Sequence, residues 1–129
     1  MEYTLREEVI EQLQLILESI NIIQERNKEI VTVSDYTSST WGMTVLDATL
    51  MRIQFIGETA SSIDKKTHKT LFENYPHNPW KQIYSMRNYI SHQYADIDPE
   101  MILVTIHKHL PPLQHTVKQI ITDLKSTIA

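Results

Sequence analysis

Leu5, Val9, Leu13, Ile16, Ile20 and Ile23 recur at steps of three and four, which gathers them on one face of a helix with 3.6 residues per turn. Glu7, Glu11, Glu18 and Glu25 fall elsewhere on that surface, so the spacing predicts a long first helix with one face toward a core. The stretch VTVSDYTSST, residues 31–40, breaks the period with β-branched and turn-forming residues. The period returns at Val45, Thr49, Ile53, Ile56, Ala60 and Ile63, which predicts a second helix. Gly57 inside it costs about 1 kcal/mol relative to alanine and reads as a point of close helix packing.

Asn78 followed by Pro79 has the form of a helix cap, because proline's missing donor is not needed in the first turn and its φ is already helical. A third major helix is predicted from there, with Ile83, Met86, Ile90 and Ile97 on its core side. Asp98-Pro99-Glu100 repeats the pattern, and Ile102, Ile106, Leu110, Leu113, Val117, Ile120 and Leu124 continue an apolar stripe. Pro111 and Pro112 predict a kink in that last helix. With a short helix near KKTHKTLFENY and no convincing strand, the expected fold is all-α: an antiparallel four-helix bundle with an additional short helix, forming one domain over residues 1–129.

Composition narrows the setting. The chain has no cysteine, which removes disulfide and thiolate chemistry and fits a reducing cytoplasm. Its start, MEYTLREEVIEQ, lacks the basic and apolar blocks of a signal peptide, and no apolar run approaches the ~20 residues of a membrane helix. A soluble, cytoplasmic protein with no membrane partner is expected. The net charge of −4 argues against a general nucleic-acid coat protein, so any contact with RNA is expected to be local.

The candidate chemistry lies in SMRNYISHQY, residues 85–94. On a helix Asn88 and His92 share the side opposite the apolar one, and Arg87 and Tyr94 lie along the border of the apolar face. Arg87 and His92 are about 140° apart on an ideal helix, but they can flank one phosphate if two copies of the helix meet across a dimer axis. A histidine can take the proton of a ribose 2′-hydroxyl while a guanidinium grips the phosphate in a bidentate manner. The spacing alone does not separate such a site from an ordinary polar surface, because the chain carries four arginines and six histidines. Glu58 reads either as a partner for Arg87 or as a solvated carboxylate, and Lys65, Lys66 and Lys69 read either as a cationic rim or as a solvated helix end. His107 and His109, two apart, do not share a helix face as a zinc pair would, so no metal or other cofactor is expected. Tyr84 and Tyr89 read as dimer-interface residues.

Together FIGETA, NPWKQIYSMRNYISHQYADIDPE and HKHLPPLQ resemble, in order and spacing, the HEPN superfamily and its HepT-like ribonuclease toxins. The most specific part is R-N-x-x-x-H-x-Y, here Arg87, Asn88, His92 and Tyr94, and the likeness spans essentially the whole chain. The resemblance implies a HEPN-like homodimer in which two copies of the motif line a shared cleft, His92 acts on the 2′-hydroxyl, Arg87 binds the scissile phosphate and Asn88 orients the site. It also implies a metal-independent endoribonuclease toxin with a cognate minimal nucleotidyltransferase antitoxin that adenylylates Tyr94. Thr59 after IGE and the second proline of the last helix depart from the usual pattern, away from the motif. Two other classes compete with the nuclease: a non-catalytic helical partner or substrate-binding module of a nucleotidyltransferase, and a bare structural dimer.

Overall fold

In a computed structural model, which describes residues 1–77 and 80–127, every regular element is helical. Four long elements carry the architecture: α1 (Tyr3–Arg26), α3 (Thr40–Lys66), α5 (Trp80–Gln93) and α7 (Leu110–Ser126). Shorter helices α2 (Val33–Thr37), α4 (Thr70–Glu73) and α6 (Pro99–Val104) connect them, with a 3-10 turn at Tyr94–Asp96 and a π segment at Thr105–His109. The all-α class read from the sequence is the one observed.

Cross-helix contacts fix the directions. Gln12 meets Ser62 and Ser19 meets Arg52, so α1 and α3 are antiparallel. Gln54 donates to Ser91, while a Cβ on Gly57 would meet the stem of Arg87, so α5 runs antiparallel to α3. Gln114 bonds to Asn21 and Gln24, which places the start of α7 beside the end of α1. Val9, Leu13, Ile16, Ile20 and Ile23 of α1 are buried with Val45, Ile53, Ile56, Ala60 and Ile63 of α3. Ile83, Met86 and Ile90 of α5 join the same core, as do all seven apolar positions of the last stripe from Ile102 to Leu124. Ile97 is partly buried against it.

Two departures from the sequence reading have local causes. Residues 31–40, read as a break, contain α2: the Asp35 carboxylate accepts from the N–H groups of Val31 and of the N-cap Thr32, closing a capping box at the helix start. The two prolines follow a π segment rather than sitting inside one regular α-helix. Lacking N–H groups, Pro111 and Pro112 leave the preceding carbonyls unpartnered by the α pattern, and the turn before them widens until the Leu110 N–H donates to the Thr105 carbonyl. The predicted short helix is α4, entered through a left-handed pair, His68 and Lys69, that reverses the chain after α3. The predicted cap at Asn78-Pro79 lies outside the described residues.

Candidate active site

The R-N-x-x-x-H-x-Y residues occupy the last two turns of α5 and the 3-10 turn that follows. Ile83, Met86 and Ile90 anchor this part of α5 in the core, which turns Arg87 and Ser91 toward α3 and leaves Asn88 and His92 on the exposed side. Helix geometry ends at Gln93, so Tyr94 swings out on the 3-10 turn and is 71% exposed.

Arg87 is half-buried, and its stem crosses α3 at Gly57. A Cβ on that glycine would lie 2.7 Å from Arg87 Cβ and 3.1 Å from its Cγ, closer than carbon atoms pack. The sequence pointed to close packing at Gly57. The residue packed there is the candidate phosphate ligand itself. The guanidinium then curls back over its own helix, where Nη2 and Nε donate to Asn88 Oδ1 at 3.1 and 3.3 Å. Because Asn88 and His92 are four residues apart, this bond draws the Arg87 head toward the face that carries the imidazole. The structure thus brings Arg87 and Asn88 together, puts Asn88 and His92 on one side, and leaves His92 exposed without a hydrogen-bond partner among the described residues.

Two hollows flank the motif along α3. One, of about 360 Å³, is lined by Arg87 with Glu58, Ser61, Ser62, Lys65 and Lys66. The other, of about 310 Å³, holds Tyr94 against Leu50, Met51, Phe55 and Ile90, with Asp47, Gln54 and Glu58 at its polar edge. Glu58 borders both, yet it forms no ion pair with Arg87 among the described residues. Of the three lysines picked out in the sequence, Lys65 and Lys66 share the hollow with Arg87 and Lys69 does not. Ser61 and Ser62 were missed, although their place between Glu58 and Lys65 at helical spacing was readable as a polar strip beside Gly57.

The two tyrosines of α5, Tyr84 and Tyr89, pack in part against this chain's own core. Tyr89 OH accepts from the Asp98 N–H at 2.8 Å and so ties α5 to the start of α6. Tyr84 OH is buried in the seam and finds no partner among the described residues. Burial and the Asp64 carboxylate push its phenol up to about 12, with Arg87 opposing. No cluster of metal-ligating side chains occurs among the described residues, and His107 and His109 lie in the π segment.

A protein of Methanocaldococcus jannaschii named "Gamma-glutamylcyclotransferase and putative RNase" is 30% identical over 120 residues, covering 93% of this chain and 50% of its own length. This chain therefore spans only half of that relative. A "Putative RNase" of Caldanaerobacter subterraneus subsp. tengcongensis is 30% identical over 114 residues, 88% of this chain and 94% of its own. A second M. jannaschii "Putative RNase" shares 32% identity over 78 residues, 60% of this chain and 64% of its own. No solved structure matches. The profile of the family described as ribonuclease HepT-like matches residues 16–120, which takes in the whole of α3 and α5, parts of α1 and α7, and all four motif residues, and the chain belongs to that family.

Proposed function

We propose that this protein is a metal-independent endoribonuclease toxin that cuts RNA by attack of a ribose 2′-hydroxyl, and that a cognate minimal nucleotidyltransferase restrains it by adenylylating Tyr94. The observation that carries the reading is the Arg87–Asn88 bond, which turns a guanidinium held over Gly57 toward the exposed face of His92. Membership of a ribonuclease family supports RNA as the substrate class.

In this mechanism His92 takes the proton of the 2′-hydroxyl, and O2′ attacks the adjacent phosphorus. The bond from phosphorus to the 5′ oxygen breaks, and that oxygen takes a proton from solvent. A 2′,3′-cyclic phosphate and a 5′-hydroxyl end result. Arg87 holds the non-bridging oxygens as charge builds on them, and Asn88 keeps the guanidinium in place. The stems of Arg87 and His92 leave α5 in different directions and no bond among the described residues joins the guanidinium to the imidazole, so a cleft between two copies of the chain completes the site best; the exposed Met51 and Phe55 beside Tyr94 supply an apolar surface for such a homodimer.

Tyr94 suits modification because it is well exposed at the edge of the α3 hollow and its phenol bonds to no described residue. Its oxygen would attack the α-phosphorus of ATP, with pyrophosphate leaving, and the added anion would compete for Arg87 and block RNA. The test is cleavage of bulk cellular RNA by chelator-treated wild type and His92→Ala, after intact mass shows Tyr94 unmodified. Cyclic-phosphate ends from wild type alone are expected. Silence from both proteins, with the fold and dimer intact, would instead favour a partner-binding module.

A further inference from the structure

The hollow beside Arg87 extends well past the guanidinium. From Glu58 to Lys66 its α3 wall advances eight residue steps, or about 12 Å at 1.5 Å per step. On the ribonuclease reading, a scissile phosphate held by Arg87 would occupy one end of it. The remainder presents the hydroxyls of Ser61 and Ser62 and the ammonium groups of Lys65 and Lys66, all hydrogen-bond donors, against the single carboxylate of Glu58 at the near end. Asp64 is placed differently, since its charge acts on the buried phenol of Tyr84 in the seam.

We infer that RNA flanking the cleavage point runs along this strip of α3, its phosphates held by Lys65 and Lys66 and by the hydroxyls of Ser61 and Ser62. The inference rests on the ribonuclease reading and adds residues that position substrate without touching the reacting atoms. Lys65 is exposed and forms no ion pair among the described residues. Lys66 Nζ lies 3.5 Å from Glu8 and donates to Gln12 at 3.2 Å. Both charged partners are well exposed, so the pair is weak and a phosphate can displace it.

A second observation extends the strip in the same direction. Lys66 also walls a hollow of about 490 Å³ that contains Arg6 and His68 over an apolar floor of Leu5, Leu71 and Leu124. There Arg6 Nη2 donates to the Met1 carbonyl, while Arg6 Nε is buried with no acceptor among the described residues. Arg6 thus adds one more cation beyond Lys66 along that hollow. In a chain of net charge −4, affinity for RNA must come from such a local run of cations.

The test uses a fluorescent single-stranded RNA methylated at every 2′ oxygen, which binds but offers no attacking hydroxyl. Its dissociation constant is measured by anisotropy between about 50 and 200 mM salt, the range in which counterion release dominates. Lys65→Ala with Lys66→Ala is expected to weaken binding on the order of tenfold at the lower salt and to reduce the salt slope by about 1.4, at about 0.7 per lost contact on a single strand. Lys65→Ala alone, at an exposed position, should give about half that loss of slope, and Lys65→Arg with Lys66→Arg should restore it. Lys28→Ala with Lys118→Ala removes equal charge elsewhere and should leave the slope unchanged. Equal weakening by both alanine pairs, or none from the Lys65/Lys66 pair while wild type still binds and cuts RNA, would overturn the strip and leave the nuclease standing. If wild type neither binds nor cuts RNA, the nuclease reading falls first and the strip falls with it.

Discussion

At the scale of single residues, Gly57 and Asn88 fix Arg87 from two sides, one by having no side chain and the other by offering an oxygen. Gly57→Ala sets two effects against each other. Helix propensity alone would favour alanine by about 1 kcal/mol, while overpacking costs about 1–3 kcal/mol. The added Cβ would first meet Arg87 Cβ, next to the backbone of α5, rather than the movable end of the side chain. Repacking therefore shifts α5 itself, and the clash outweighs the propensity. The expected result is a net loss of about 1 kcal/mol, a thermal midpoint lower by about 4 °C, and RNA cleavage reduced at least about tenfold as the guanidinium leaves its place. A Gly57→Ala protein with a raised midpoint and full activity would show that the contact sets neither packing nor chemistry.

At the scale of elements, the long helices were legible because burial imposes a period, and the residues at Val9, Leu13, Ile16, Ile20 and Ile23 kept the faces their spacing gave them. What the period misses is decided by individual polar bonds. Helix α2 is capped by Asp35, and the Tyr89 hydroxyl holds the Asp98 N–H. The motif's faces on α5 were likewise readable, but the reach of Arg87 back to Asn88 was not, since a long side chain does not end where its Cβ points. The α1–α2–α3 junction shows the weight such bonds carry. Tyr36, fully buried, donates to Asn27 Oδ1 at 2.5 Å, and Asn27 Nδ2 donates to the Ile23 carbonyl at 2.8 Å and to Thr49 Oγ1 at 2.9 Å. Asn27→Ala strips the buried Tyr36 hydroxyl of its acceptor and takes a donor from Thr49, so a loss of about 2–4 kcal/mol is expected by urea denaturation. Tyr36→Phe, which removes the hydroxyl but keeps the ring, should cost less. The network would not be structural if Asn27→Ala cost under about 0.5 kcal/mol.

At the scale of the whole molecule, two properties follow from groups in different helices acting together. Burial raises the phenols of Tyr36, Tyr75 and Tyr84, the last two to about 12, and Asp123 adds to the effect on Tyr75. In the unfolded chain these phenols ionise near 10. The unfolded state then holds fewer protons than the folded one, so stability falls as pH rises from about 10 toward 12 and is undiminished below that window. Thermal midpoints measured across it should drop steeply for wild type and less for Tyr84→Phe; a flat profile would remove the buried phenols from the account. The second is the shared catalysis proposed above. Met51 is 75% and Phe55 37% exposed beside Tyr94, while Arg87 and His92 leave α5 in different directions within one chain. If two copies pair through that surface and each cleft takes its arginine from one chain and its histidine from the other, Arg87→Ala and His92→Ala chains should complement each other. Refolded together in equal amounts, half of the dimers are mixed, and each mixed dimer has one intact cleft of two, so about a quarter of wild-type cleavage should return. Met51→Asp with Phe55→Asp should abolish that recovery and give a monomer by light scattering with unchanged helical circular dichroism. No recovery from the mixture, with mixed dimers demonstrated by mass, would mean that each site draws both residues from one chain.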